Sequence, residues 1–182
     1  MQNESRKKLL RIVYGAMSIA MVTILTYIIK IPSLKGGYVN FGDTMIFVAA
    51  ALFGRTTGFI AGGFGSALCD IIGGYTAFVP GTFIIKGIEG LICAILVKKD
   101  ENGVIKTSSL IISVIISAAW MVFGYFMYEY KFIGMLFSHE SGIAVALPNL
   151  PGNIMQGLVS AVAGVLLTLA IKKTGVKFGI EE

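Results

Sequence analysis

The sequence predicts an all-α integral membrane protein with six transmembrane helices and both termini cytoplasmic. Three observations carry this expectation. Of 182 residues, 55% are hydrophobic and 14% charged, against about 25% charged in an ordinary soluble domain. Uncharged runs recur along the chain, and a spanning helix needs about 20 mostly apolar residues. The net charge of +5 is concentrated at the flanks of those runs, as in membrane anchors, and forms no aromatic-interleaved basic stripe of the kind that binds nucleic acid. Apolar residues outweigh charge too far for disorder. Two cysteines, Cys69 and Cys93, are too few for a disulfide scaffold and read as small buried hydrophobes.

Residues 1–182 are expected to form a single six-helix domain, with spans at about 9–29, 42–53, 57–72, 81–97, 108–128 and 152–171. The first run, Leu9–Ile29, is too long for a signal-peptide core and no small-residue cleavage site follows it, so Met1–Lys8 reads as a short basic tail. Between Asp43 and Val97 the charges are Asp43, Arg55, Asp70, Lys86 and Glu89, which divides that region into three helices. The second helix, Gly42–Phe53, is too short to cross a bilayer. Either it begins earlier, near Tyr38, or it ends inside the protein beside a water-filled cavity, where irregular backbone is tolerated. KKDENGVIK (Lys98–Lys106) is a hydrophilic loop, Ser108–Tyr128 a fifth span, residues 129–151 a long connection, and Gly152–Ile171 the sixth span.

Basic residues set the orientation. With both termini inside, the inner side carries eleven of them: Arg6, Lys7, Lys8, Arg11, Arg55, Lys98, Lys99, Lys106, Lys172, Lys173 and Lys177. The outer side carries three, Lys30, Lys35 and Lys131. This is a strong positive-inside bias, and it favours an even number of spans.

Ionisable groups deep in a membrane helix cost about 2.5–3.5 kcal/mol by insertion scales, and so point to a site. Lys86 and Glu89 stand at i and i+3 in GTFIIKGIEG and share a helix face. They form either a self-contained ion pair or a pair lining a cavity; Gly87 and Gly90 leave space for the second. Asn153 and Gln156, again i and i+3, open the sixth span close to Asn149. Their amides donate and accept, which suits a heteroaromatic edge or a hydroxyl group as well as interhelical bonding. Tyr38, Asn40 and Tyr75, in outer segments near glycines, complete the candidate substrate-binding set, the tyrosines by stacking on a planar ligand. Asp43 in GDT reads as a helix N-cap. Asp70 either caps a loop or lines the site. Phe78, Trp120, Tyr125 and Tyr128 read as interfacial belt residues, and His139 beside Glu140 as solvated.

Ten of the 23 glycines fall between Gly54 and Gly90, including the G-x-x-x-G of Gly58 and Gly62. Small residues let membrane helices approach closely, and internal packing is the expectation here. Ala16 and Ala20 place two alanines on one face of the first helix. No P-loop, G-x-S-x-G or H-E-x-x-H sequence is present, and one histidine with two separated cysteines makes no zinc site. No catalytic residue, metal or cofactor is expected, and the chain does not read as an enzyme.

GGYVNFGDTMIFVAAALFG (Gly36–Gly54), AGGFGSALCDIIGGY (Ala61–Tyr75) and PGTFIIKGIEG (Pro80–Gly90) resemble the substrate-binding S components of energy-coupling-factor (ECF) vitamin transporters, in the branch grouping riboflavin-type with hydroxymethylpyrimidine/pyridoxine-type members. The resemblance covers essentially the whole chain. It implies that Ala16 and Ala20 form the Ala-x-x-x-Ala motif that docks on a transmembrane T subunit. It also implies two cytoplasmic ATPase subunits beneath that subunit, in keeping with the missing P-loop. A vitamin or precursor would be captured near the outer face, under residues 30–42, 73–80 and 129–151, and released inside when the subunit topples. A stand-alone proton-coupled secondary transporter is the alternative, since it too would use buried charges. In either case the chain sits in the cell membrane as a multi-pass protein.

Overall fold

The computed structural model describes residues 2–35, 37–137, 142–176 and 178. The element order is α1 (Gln2–Ile28), a hairpin of β1 (Lys30–Pro32) and β2 (Tyr38–Asn40), α2 (Gly42–Phe53), α3 (Arg55–Gly73), α4 (Val79–Leu96), α5 (Thr107–Tyr128), a π-helical stretch Glu129–Phe137, and α6 (Gly142–Lys173). The hairpin is antiparallel, with Lys30 opposite Asn40 and Pro32 opposite Tyr38.

Helix α2 is the centre of the bundle. Every residue from Gly42 to Ala51 is buried, and the helix touches α1, α3, α4 and α6. One side packs Phe47, Ala50 and Ala51 against Cys93, Leu110 and Val114. The other packs Met45, Ile46, Val48 and Ala49 against Val22 and Ala61. Protein surrounds α2 on all sides, so it never has to satisfy the length that lipid demands of a spanning helix. It begins at Gly42, directly after the hairpin.

The other helices cover α2 and turn apolar side chains outward, among them Ile12 and Met17 on α1, Ile112 and Ile115 on α5, and Leu158 and Val162 on α6. So much exposed apolar surface is foreign to soluble proteins and normal for a lipid-facing one. Among the described residues, four helical stretches are long and apolar enough to cross a membrane: Glu4–Ile28, Val79–Leu96, Thr107–Ile133 and Gly142–Lys173.

Two expectations are corrected. The basic tail is part of α1, which starts at Gln2; arginine and lysine are good helix formers, so charge alone does not end a helix. The long connection at 129–151 is mostly helical. Glu129–Phe137 continues α5 as a π-helix, and α6 begins at Gly142 with Pro148 and Pro151 inside it. Neighbouring helices and local backbone adjustment let membrane helices keep prolines that would break a soluble one. His139 and Glu140 lie outside the described residues.

The G-x-x-x-G on α3 packs internally, against α4. A Cβ at Gly58 would lie 2.7 Å from the Gly90 carbonyl oxygen and 2.9 Å from the Ala50 Cβ. A Cβ at Gly62 would collide with the carbonyl oxygen of Lys86. The backbones of α3 and α4 touch there, and only glycine permits it. This crossing holds Lys86 at its depth in the bundle.

A methyl group at Gly62 has no free volume, so Gly62→Ala is expected to lower stability by about 1–3 kcal/mol through overpacking. At Gly157 the added Cβ meets Ala118 and Met121 at 3.4 and 3.5 Å, ordinary contact distances, and Gly157→Ala should be near neutral. Thermal melts of the two variants in one detergent make the comparison.

Candidate binding site

Where α1 ends, α3 turns into α4 and α5 runs toward α6, the helix ends surround a small, tightly filled polar cavity. The hairpin contributes Tyr38 and Asn40 to its wall, α3 Asp70, α4 Lys86, α5 Tyr125 with Glu129 just beyond, and α6 Asn153 and Gln156. All three segments expected to overlie the site reach it, through Ser33 and Gly37, Phe78, and Glu129.

The floor is an ion cluster. Lys86 is 2% exposed, Asp43 1% and Glu89 0%. The Lys86 ammonium donates to Asp43 Oδ1, and its Nζ lies 3.2 Å from Glu89 Oε2. That second contact is an ion pair without hydrogen-bond alignment. Asp43 Oδ2 accepts from Gln156 Nε2 at 2.8 Å. Gln156 Oε1 in turn accepts from the Asn40 backbone N–H at 2.9 Å, and Asn40 Oδ1 from the Gly42 N–H at 2.8 Å. One chain of hydrogen bonds therefore joins α4, α2, α6 and the hairpin.

This overturns the reading of Asp43 as a cap. Residue Phe41 occupies the N-cap position of α2 and makes no side-chain cap bond; the Asn40 side chain accepts from the first helical N–H instead. Carboxylates near helix starts look alike in sequence, whatever their partners. Asp43 finds its own, Lys86 and Gln156, 43 and 113 residues away.

Asp70 faces the cavity, where its Oδ1 accepts from the Tyr38 hydroxyl at 2.6 Å. Burial, with the Asp70 carboxylate beside it, pushes the Tyr38 phenol up from its ordinary value, so it stays protonated and donates. Tyr75 is not among the lining residues; its ring leans on Tyr38 at 4.7 Å between centroids. Lys30 Nζ lies over these rings, 4.7 Å from the Tyr38 centroid and 5.6 Å from that of Tyr75, and its charge reaches Asp70. Glu89 also stands behind the wall and reaches the cavity only through Lys86.

Glu129 escaped the sequence reading because it lies one residue past the apolar run, where it counted as loop. Its Oε1 accepts from Asn149 Nδ2 at 3.3 Å, and Asn149 Oδ1 accepts from the Lys35 N–H at 3.1 Å. The only available signal was its position, an acid directly at the end of an uncharged span. Phe78 and Tyr125, read as belt aromatics, line the cavity instead. The Tyr125 hydroxyl donates to Thr82 Oγ1 at 3.0 Å, and the Lys86 Nζ lies 5.4 Å from its ring centroid. Trp120 is turned inward and donates to the Ile85 carbonyl at 3.1 Å.

Four cavity-lining groups have an atom without a well-aligned hydrogen-bond partner among the described residues, Asp70 Oδ2, Glu129 Oε2, Asn153 Nδ2 and Thr26 Oγ1, although Thr82 lies beside Asp70 and Asn153 beside Glu129. Buried polar atoms are normally paired, and those that are not call for an explanation. Here they converge on one space, and a polar cavity between apolar, membrane-length helices is the arrangement of a membrane protein with a candidate site for a small polar molecule.

Comparison with known proteins gives the family. Residues 6–173 match the family described as ECF-type riboflavin transporter, S component. An "uncharacterized protein in gap 3′ region" of Pyrococcus woesei is 35% identical over 147 residues, 80% of this chain and 88% of that protein. The thiamine precursor transporter HmpT of Lactococcus lactis is 28% identical over 183 residues, 100% of this chain and 98% of that protein. A solved structure described as "Structure and mechanism of the S component of a bacterial ECF transporter" shares the fold, with TM-score 0.66 at 20% identity, covering 96% of this chain and 98% of that one. The chain belongs to the ECF-type riboflavin transporter S component family and is a multi-pass membrane protein.

Removing Lys86 strands two buried carboxylates. Lys86→Met is expected to cost about 3–5 kcal/mol, the penalty for breaking a buried pair, and Asp43→Asn in the same chain should recover part of it. Unfolding midpoints of the single and double variants in detergent test the coupling; additive losses would contradict it.

Proposed function

We propose that this chain crosses the membrane six times with both termini inside. It captures a small heteroaromatic vitamin or vitamin precursor at the outer face and delivers it inward, working with a transmembrane T subunit and two cytoplasmic ATPases. The observation that carries this reading is the cavity lined by buried polar atoms without well-aligned partners, in a chain of a transporter S component family. Charge placement supports the orientation. Arg6, Arg55, Lys98, Lys106 and Lys172 belong to the N-terminus, the α2–α3 turn, the α4–α5 loop and the end of α6, all on the side opposite the cavity.

In this reading Lys86, Asn153, Gln156 and Asn40 hydrogen-bond the cargo, and Tyr38 offers a ring face backed by Tyr75. Glu89 holds Lys86 in position. A hydroxymethylpyrimidine- or pyridoxine-like molecule suits the confined space first, and riboflavin next. The family description names riboflavin, and the Lactococcus lactis relative is described as a thiamine precursor transporter. Ala16 and Ala20 are exposed on α1, whereas nearby Gly15 and Ser18 turn inward. A small-residue face left open in this way supports docking on the T subunit.

Mass spectrometry of small molecules released from the purified chain should return such a heteroaromatic. A chain that yields none and shows no thermal shift with any of these vitamins overturns the reading. Changing both Ala16 and Ala20 to leucine should abolish co-purification with the T subunit and leave ligand affinity unchanged. Uptake by vesicles containing this chain alone, driven by a proton gradient, would establish a stand-alone transporter instead.

A further inference from the structure

Another cavity opens at the end of the bundle opposite the polar one. Helices α3 and α4 touch where Gly58 meets Gly90 and Gly62 meets the Lys86 carbonyl. One turn further on, the start of α3 and the end of α4 face each other across a space of about 520 Å³. The last turns of α2 and α4 offer it Ala50, Ala51 and Ala94, side chains too small to fill it. Arg55 and Lys99 stand on its rim, and no acidic residue is among its described lining residues. Both cations are held in place by the backbone. Gly54, at φ 88°, breaks α2 from α3 in a conformation that favours glycine and makes Arg55 the first residue of the new helix. Lys99 pairs with Ile105 in an antiparallel bridge that ties down the α4–α5 loop. From the cations the wall becomes apolar and runs out to Ile95, which is 48% exposed on the outside of α4.

Resting on the orientation given above, we propose that this cavity binds an anionic phospholipid of the inner leaflet, its phosphate between Arg55 and Lys99 and its acyl chain along Ile95. The chemistry of the rim fits the headgroup. A guanidinium and an ammonium both donate to phosphate oxygens, the first as a fork and the second as a point charge, and the Thr56 hydroxyl is a further donor on the same rim. The depth fits as well, because both cations flank the ends of apolar helices on the basic side of the chain, at the level where headgroups lie. The apolar wall selects a lipid over a free anion: a hydrophilic phosphate leaves it uncovered, and an acyl chain covers it. An occupant here braces the ends of α2, α3 and α4 directly behind the glycine contacts that set the depth of Lys86, so lipid bound at this end stabilises the whole bundle.

Native mass spectrometry of the full chain, delipidated in detergent and offered equal amounts of dioleoyl phosphatidylglycerol and dioleoyl phosphatidylcholine, tests the proposal. Phosphatidylglycerol should be retained about tenfold over phosphatidylcholine, since each cation at a membrane surface adds a several-fold preference for anionic lipid. Arg55→Gln with Lys99→Gln should lose the preference. Lys98→Gln with Lys106→Gln, which removes the same charge nearby but outside the cavity, should keep it. In thermal melts phosphatidylglycerol should raise the unfolding midpoint, and glycerol 3-phosphate at the same concentration should not. Equal retention of the two lipids by the wild type, a preference that survives in the first double variant, or equal loss in both double variants overturns the proposal. Stabilisation by glycerol 3-phosphate as large as that by the lipid makes the site one for a free phosphate and overturns it too. So does a first double variant that keeps its lipid preference but no longer co-purifies with the T subunit, which assigns the cavity to a protein partner. The wild-type comparisons stand even where a variant does not fold. Binding in detergent is independent of orientation and of cargo, so failure here leaves both of those readings standing.

Discussion

A lysine and two carboxylates buried deep in the bundle must satisfy one another, and the arrangement of this bundle follows from that requirement. Lys86 on α4 draws Asp43 from α2 and Glu89 from its own next turn. Asp43 then fixes Gln156 on α6, which fixes the hairpin through Asn40. Charges this deep are tolerated only when paired and hydrogen-bonded. Shifting any one of these helices along its axis would separate a donor from its acceptor. The glycine crossing of α3 and α4 serves the same end, because contact between Gly62 and the Lys86 carbonyl sets the depth of the lysine.

The fold separates two tasks that a membrane usually imposes on the same helix. The outer helices meet lipid and carry the long apolar runs, while α2 meets only protein and is free to be short. Its short length leaves room at one end of the bundle, and the hairpin, the α3–α4 turn and α6 close around that room. Cargo capture by an S component calls for polar groups held rigidly out of water, since affinity depends on donors and acceptors that are already oriented and desolvated. Relays such as Lys35–Asn149–Glu129 supply that rigidity and leave one oxygen of Glu129 without a well-aligned donor among the described residues.

The residues that were legible in the sequence are those whose meaning is local. Lys86 and Glu89 share a face because they are three apart on a helix, and Asn153 and Gln156 do likewise. Asp43 was not legible, because its partners lie on other helices and a carboxylate after Gly42 reads as a cap. Glu129 was hidden by its position one residue beyond an apolar span, and Pro148 and Pro151 disguised the first turns of α6 as loop. Tyr75 was read from its turn beside glycines; its ring lies against Tyr38, and Tyr38, not Tyr75, is among the residues lining the cavity.

By itself, the sequence determined that the chain lives in a membrane, where its helices run, and that a few buried polar residues demand an explanation. Each of these follows from hydropathy, charge and helical period, which neighbours along the chain decide among themselves. Only the tertiary structure decided which of those polar residues spend their hydrogen bonds on each other and which turn toward the cavity. Asp43 and Lys86 saturate one another across two helices, while Asp70, Glu129 and Asn153 converge from three elements, each with an atom that has no well-aligned partner among the described residues. That distinction depends on distances between residues far apart in the chain, and so it appears only once the helices have packed.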